Sequence, residues 1–318
     1  MLSVSRKRYL AVDLGGTKIS VSLWEEGSSG PVRTGSSRWA TLPEGPAANI
    51  DRVVAEAGAL LGSDPSVRID AIGISGGGPL DPERGLILNV PNLPGWVNVP
   101  ITSILEKRLG APAWIENDAN ACAVAEWLRG AGRGARNMVF LTCSTGMGAG
   151  LILDGRLYRG ARHLAGEAGH QVIVPGGLPC GCGNRGCLEA YASGAGMARR
   201  LDALRGSDPG LPRTAREVVE RARAGDPFSV RFLRETGEYL GMGLATVVFL
   251  LNPERIVLGT IAVGAGALLL DPVREALSGL VWPALLEGLE IVPAQLGEDL
   301  GDHAALSVAR DLHAHSGE

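Results

Sequence analysis

Between Gly166 and Glu189 the chain gathers side chains that could bind a metal and hold a ligand beside it. Gly166-Glu167-Ala168-Gly169-His170 is followed by nine residues and then by Cys180-Gly181-Cys182-Gly183-Asn184-Arg185-Gly186-Cys187-Leu188-Glu189, so three of the five cysteines fall within eight residues. The interleaved glycines let the backbone fold tightly enough for several thiolates to face one centre. Cys180, Cys182 and Cys187 with His170 form a Cys3His set. That set suits tetrahedral zinc, and four protein ligands leave no open position for a catalytic water. A zinc ion here would be structural. The competing readings are buried reduced thiols or a disulfide; cysteines as close as Cys180 and Cys182 pair badly, and no secretory signal favours oxidation. Glu167 and Glu189 bracket the knuckle, where two carboxylates could grip a polyhydroxylated ligand.

Two further stretches have the makings of phosphate cradles. Tyr9 to Leu14 reads as a strand, Gly15-Gly16-Thr17-Lys18 as a turn, and Ile19 to Trp24 as the returning strand. Asp13, backbone N–H groups, a hydroxyl and the Lys18 ammonium would surround one concavity able to hold a phosphate, although an ordinary glycine hairpin has the same outline. Arg136 to Thr142, the turn Cys143-Ser144-Thr145-Gly146-Met147-Gly148, and Ala149 to Leu153 repeat that layout, which points to an internal duplication with one cradle in each half. Both cradles lie outside the cysteine knuckle, so loss of the metal is expected to disturb nucleotide binding much less than binding at the knuckle.

These groups need a scaffold. Ile69 to Ile74 reads as a buried parallel strand ending in Ser75-Gly76-Gly77-Gly78-Pro79, at a strand end where open α/β sheets bind ligands. A proline-rich loop, Asn89 to Trp96, offers Asn92 as a polar contact or serves only as a surface connection. Strand Ala113 to Ile115 runs into Glu116-Asn117-Asp118, where Asp118 is placed either to cap the following helix or to act as a general base. Helical patterns cover Pro46 to Leu61, Ala119 to Arg129, Gly194 to Leu204, Thr214 to Ala224, Pro227 to Leu251, Leu268 to Leu280 and Asp302 to His315. Gly27 to Pro31 reads as a connection, and the strand Glu254 to Leu258 ends at Gly259-Thr260, where small backbone could admit an adenine ring. His303, His313 and His315 have no ligand spacing and are expected at the surface.

Composition sets limits. A chain of 318 residues, 45% apolar and 20% charged, can bury two domain cores. A net charge of −4 argues against a nucleic-acid or anionic-membrane surface, and the longest apolar run, Leu244 to Leu251, cannot span a bilayer. An odd number of cysteines with no signal segment suggests a reducing cytoplasm.

Asp13-Leu-Gly-Gly-Thr-Lys18, Glu116-Asn-Asp118, Thr142 to Gly148, Gly-Glu167-Ala-Gly-His170 and Cys180 to Glu189 stand in the order found in the ROK family of repressors, open reading frames and sugar kinases, which the chain resembles from about Leu10 to about Leu312. The resemblance implies an α/β chain with the actin-like ATPase (ribonuclease H-like) fold, two duplicated α/β domains around a central cleft. The expected domains are 1–118, with 302–318 packing back on it, and 119–301.

By the same resemblance Asp118 is the catalytic base, and Asn117, Glu167, His170 and Glu189 are sugar contacts, as are Gly77 and Asn92. Asp13, Gly15, Gly16, Thr17, Lys18, Thr142, Thr145, Gly146 and Gly259 serve ATP and Mg2+, and His170, Cys180, Cys182 and Cys187 hold structural Zn2+. Ser144 and Thr260 stand where the family usually has glycine, and both departures bear on nucleotide geometry. The implied activity is ATP-dependent phosphorylation of the 6-hydroxyl of a hexose, glucose first and fructose, mannose or an N-acetylated amino sugar as alternatives. A homodimer in the cytoplasm fits the family. A sugar-responsive regulator is the other implied role, but only eight residues precede the first strand, too few for a DNA-binding helix pair.

Overall fold

The computed structural model describes residues 6–64, 67–90, 93–206 and 208–312. Two compact units emerge, one of residues 1–125 with 298–318 and one of residues 126–297.

In the first unit, strand alternation in β1 (Arg8–Leu14) turns Leu10, Val12 and Leu14 to one face, where they pack with Ile19, Val21 and Leu23 of β2 (Lys18–Gly27). The same alternation turns Tyr9, Ala11 and Asp13 to the other face. β3 (Gly30–Ala40) pairs antiparallel with β2, and Gly27 faces Gly30. The Gly27 to Pro31 stretch is therefore mostly strand around a tight turn, a correction to its reading as a connection: small residues there are tolerated because the edge is exposed. α1 (Pro46–Leu61) starts on its proline and leads to β4 (Ala71–Gly76). Three short strands follow, β5 (Leu80–Asp81), β6 (Leu86–Asn89) and β7 (Val97–Val99), then α2 (Ile101–Leu109), β8 (Ala113–Asn117) and α3 (Asp118–Arg129).

The main sheet has the order β3-β2-β1-β4-β8, with β4 parallel to both β1 and β8. Its register sets Asp13 beside Ser75, Ser75 beside Glu116 and Gly76 beside Asn117. The C-terminal strand ends thus share one edge, the usual ligand side of such sheets.

The second unit repeats this topology. β9 (Met138–Leu141), β10 (Ala149–Leu153), β11 (Arg156–Tyr158), β12 (Arg255–Leu258) and β13 (Glu290–Pro293) lie in the order β11-β10-β9-β12-β13. β9 is antiparallel to β10 and parallel to β12, as β1 is to β2 and β4. Duplication extends from the glycine turns to the whole sheet.

Between β11 and β12 come α4 (Leu188–Ala192), α5 (Gly194–Arg205), α6 (Ala215–Arg223) and α7 (Pro227–Leu251). α7 is capped by Asp226, whose carboxylate accepts from the Ser229 N–H at 2.8 Å, and its apolar stripe Leu233, Leu240, Leu244 and Val248 is core. After β12, the short α8 (Ile261–Ala265) and α9 (Ala267–Leu280) follow, then α10 (Pro283–Leu286). Pro272 and Ala276 of α9 fill the space left by Gly237 and Gly241 of α7.

The chain re-enters the first unit as α11 (Leu300–Arg310). The helix stops at Arg310 rather than running to His315, and His313 and His315 lie outside the described residues, as does Asn92. Ala305, Leu306 and Ala309 of α11 cover Tyr9, Ala11 and Ala71. At Gly73 the helix backbone touches the strand, for a Cβ there would overlap Ala305 O and Ala309 N. That close approach sets the first turn of α11 beside Asp13. Among the described residues no helix is long and apolar enough to cross a membrane.

Candidate functional site

On the first unit, the turn after β1 is braced by a bond from the Gly15 N–H to Lys18 O at 3.0 Å and by Thr41, whose Oγ1 donates to Gly15 O at 2.7 Å and whose N–H donates to Thr17 O at 3.1 Å. A Cβ at Gly15 would lie 2.8 Å from Lys18 O, so only glycine fits. Gly16, Thr17 and Lys18 are exposed at the tip, as an anion cradle requires. Asp13 is half-buried behind them. Burial, followed by the nearby Asp118 and Asp302 carboxylates, pushes its carboxyl up to about 6, against the opposing pull of Lys18 and Arg38.

Asp302 was not singled out from sequence. It is buried in the first turn of α11, accepts from Ser20 Oγ at 2.6 Å and from Arg33 Nη1 at 2.9 Å, and Arg33 also grips Asp299 with both of its terminal nitrogens. Gly301 lies against Asp13, where any side chain would overlap the Asp13 Oδ2 atom. Such a partner, 282 residues from Ser20, leaves no local pattern.

At the next strand ends, Gly77 is half-exposed just past β4, and Asn117 and Asp118 close β8. Asn117, expected only as a ligand contact, caps α3: its Oδ1 accepts from the Ala119 N–H at 3.0 Å and the Asn120 N–H at 3.3 Å. Its Nδ2 is turned toward Gly78 and would offer a ligand a donor rather than an acceptor. Asp118 Oδ1 also meets the Ala119 N–H, at 2.8 Å. Asn117 and Asp118 thus share the Ala119 N–H, and Asn117 alone reaches the Asn120 N–H.

On the second unit, the knuckle is assembled. The ligand atoms of His170, Cys180, Cys182 and Cys187 all lie within 4.8 Å of one another, with Cys180 Sγ 3.6 Å from His170 Nδ1 and Cys182 Sγ 3.7 Å from Cys187 Sγ. Zn–S bonds of ~2.3 Å in a tetrahedron put sulfurs roughly 3.8 Å apart. The spacing therefore fits four thiolate and imidazole ligands around one such ion and does not fit a disulfide. His170 turns Nδ1 to the thiols and Nε2 to Glu167, 3.7 Å away. Glu167 is exposed. The strand of glycines before the histidine is needed: Gly166 has φ 98° and touches Ala149 O, and Gly169 touches Met147 O.

The second turn is closed by Thr142, whose N–H donates to Gly148 O at 2.9 Å and whose Oγ1 accepts from the Gly148 N–H at 2.8 Å. Ser144 and Thr145 are exposed, and Ser144 has no positive φ, so serine in place of glycine strains nothing there. Gly259 is zipped to the same place: its N–H donates to Leu141 O at 2.8 Å, and the Ile261 N–H donates to Cys143 O at 3.0 Å. Burial pushes the Cys143 thiol up to about 12, and it sits inert under the turn.

The expectation that this turn is separate from the knuckle does not hold. Glu189 Oε2 accepts from the Met147 N–H at 3.0 Å, while Oε1 is 3.7 Å from Cys180 Sγ. A residue's backbone N–H is not visible in its side-chain type, which is why the link escaped sequence reasoning. Arg200 is a further residue missed, one that buttresses this region. Buried in α5, it donates to Tyr191 O at 2.8 Å and to Thr236 Oγ1 at 3.0 Å, and lies over the Phe232 ring at 4.3 Å, holding the end of α4 to α7.

Comparison with known proteins agrees with this architecture. A glucokinase from Thermotoga maritima is 34% identical over 96% of this chain and 98% of its own length. The ROK hexokinase from Thermus thermophilus superposes with a TM-score of 0.77 at 36% identity, covering 95% of this chain and 97% of that one. A ROK family glucokinase from Streptomyces griseus, solved with glucose and AMPPNP, gives 0.80 at 33% identity over 95% of this chain and 99% of its own. The fold is the actin-like ATPase fold of these kinases. With the ROK family model matching residues 9–311, the chain belongs to the ROK family.

Proposed function

We propose that this chain is an ATP-dependent hexokinase, with glucose as the acceptor, that transfers the γ-phosphoryl group to the sugar's 6-hydroxyl. The observation that carries the reading is the edge of the first sheet, where Asp13 and Asp118, at the C-terminal ends of β1 and β8, flank β4 beside a braced glycine turn. The glucokinases it resembles over nearly its whole length support the same assignment.

Phosphoryl transfer asks a protein for positioning and charge neutralisation more than for covalent chemistry. Asp118 accepts the proton of the attacking hydroxyl and orients it. Asn117 Nδ2 donates to a neighbouring sugar hydroxyl, with Gly77 and Asn92 as further contacts. Glu167, Glu189 and His170 Nε2 bind the remaining hydroxyls. Backbone N–H groups of Gly15, Gly16, Thr17 and Lys18, and the turn carrying Thr142, Thr145 and Gly146, hold the phosphates, and Gly259 leaves room for the adenine. Asp13 would hold Mg2+, which when bound neutralises charge on the transferring phosphates. His170, Cys180, Cys182 and Cys187 would hold Zn2+, fixing the ring orientation of His170. We place the enzyme in the cytoplasm, where its thiols stay reduced, as a homodimer.

The test is a coupled assay for ADP release with glucose, fructose, mannose and N-acetylated amino sugars, run on the native chain and on Asp118→Asn. Glucose-dependent ADP release with kcat lowered at least ~10²-fold in the variant is expected. Glucose affinity by calorimetry should fall far less. No hexose-dependent release, or a variant with near-native kcat, refutes the reading.

A further inference from the structure

The segment that carries the metal ligands also forms the support of the second phosphate turn. Met147, buried in that turn, is held from both sides: its N–H donates to Glu189 Oε2 at 3.0 Å, and its carbonyl abuts Gly169, where any Cβ would overlap it. Gly146 comes so close that a Cβ would stand 3.1 Å from Glu189 Oε2. Four residues past Glu189, the chain turns at Ser193, and the first two N–H groups of α5 donate into the same turn, Gly194 to Ser144 O at 2.7 Å and Ala195 to Thr145 O at 3.1 Å. The turn from Thr142 to Gly148 holds no charged side chain of its own. Its one charged support in this set of bonds is Glu189.

We propose that Glu189 is a positioning residue for the nucleotide as well as a hexose contact, one carboxylate oxygen fixing the Met147 N–H and the other, 3.7 Å from Cys180 Sγ, accepting also from a sugar hydroxyl. The proposal rests on the kinase reading above and adds a direct link inside one unit between its two substrates. A hexose hydroxyl donating to Oε1 immobilises the carboxylate and with it the turn, so nucleotide and hexose bind with positive coupling, and the coupling is reciprocal. Hydrogen bonds to charged acceptors are the strong ones, and this one is part-buried, so its loss should be readable in binding.

The experiment is calorimetric titration of a non-hydrolysable ATP analogue with Mg2+ into native protein, Glu189→Ala and Glu189→Gln, each with and without saturating glucose and each checked for full metal content. The native protein is expected to bind the analogue more tightly with glucose present. Glu189→Ala should weaken analogue binding about 10-fold in the absence of any sugar and erase the glucose effect. Glu189→Gln keeps a carbonyl for the Met147 N–H, so it should regain much of the sugar-free analogue affinity while glucose binding stays weak. A simple loss of fold would not be repaired by the amide. If Glu189→Ala loses glucose affinity but binds the analogue normally, the proposal is overturned and the kinase reading stands. If glucose affinity is untouched, Glu189 is no hexose contact and the site assignment above falls with the coupling.

Discussion

Asp13 sits at a cost to the fold, and that cost can be measured. Its carboxyl is raised from 3.8 to about 6 by burial and by the neighbouring Asp118 and Asp302 carboxylates. The native state therefore holds the proton more tightly than the unfolded chain does. Stability contributed by protonated Asp13 is complete below pH 3.8 and is lost as pH rises through about 6. At about 1.36 kcal/mol per pH unit the full loss is roughly 3 kcal/mol, the net of burial and the two carboxylates against the pull of Lys18 and Arg38. Asp13→Asn removes the ionisation while keeping shape. In magnesium-free buffer it should raise the Tm of the first unit by several degrees at pH 7.5, at about 2–4 °C per kcal/mol for a domain of this size. At pH 4 the gain should nearly vanish. The same variant should lose Mg2+-dependent ATP turnover and keep glucose binding measured without nucleotide. Thermal unfolding from pH 4 to pH 8 tests the first claim. An equal or lower Tm at pH 7.5, or a gain independent of pH, would show that Asp13 is not the strained carboxylate described.

Two further substitutions probe the supports of the site. Gly301→Ala places a methyl group against Asp13 Oδ2; it should lower kcat on the order of 10²-fold by displacing the carboxylate, with glucose affinity retained, and a fully active variant would mean that α11 yields easily. Cys182→Ser should abolish stoichiometric zinc by metal analysis and raise the hexose KM by ~10-fold to 100-fold. Because Glu189 supports the second turn, the KM for ATP should rise as well, and an unchanged value would separate the knuckle from the nucleotide.

Much of the framework could be read from local patterns because the relevant neighbours are close in sequence. The knuckle ligands fall within a short glycine-rich span, and period-two alternation in β1 already assigns Asp13 to a face. What stayed hidden depends on long-range packing. Ser20 meets Asp302 across nearly the whole chain, and only the contact of α11 with Gly73 brings the helix's first turn there. The division of labour between Asn117 and Asp118 was equally invisible, since either side chain can cap a helix and geometry alone makes Asn117 do so. Gly27 to Pro31 misled for a plainer reason: its small residues resemble a loop, and an exposed sheet edge accepts them as strand ends.

The duplicated sheets carry one topology with two differently supported turns. In the first copy the turn is short, and its charges are its own: Asp13 behind it, Lys18 at its tip. Backbone bracing by Thr41 is enough, because the electrostatic groups come with the hairpin. In the second copy β9 and β10 are joined by the longer stretch Thr142 to Gly148, which contains no charged residue. A longer uncharged turn has more conformations to lose and no side-chain charge to organise it. Its order has to be imported. Gly259 and Ile261 supply it from β12 and α8, the N–H groups of α5 from beneath, and Glu189 from the segment that carries the knuckle. Substitutions in the first hairpin should therefore act through charge and show in pH and magnesium dependence. Substitutions around the second should act through geometry and show in the linkage between glucose and nucleotide affinity.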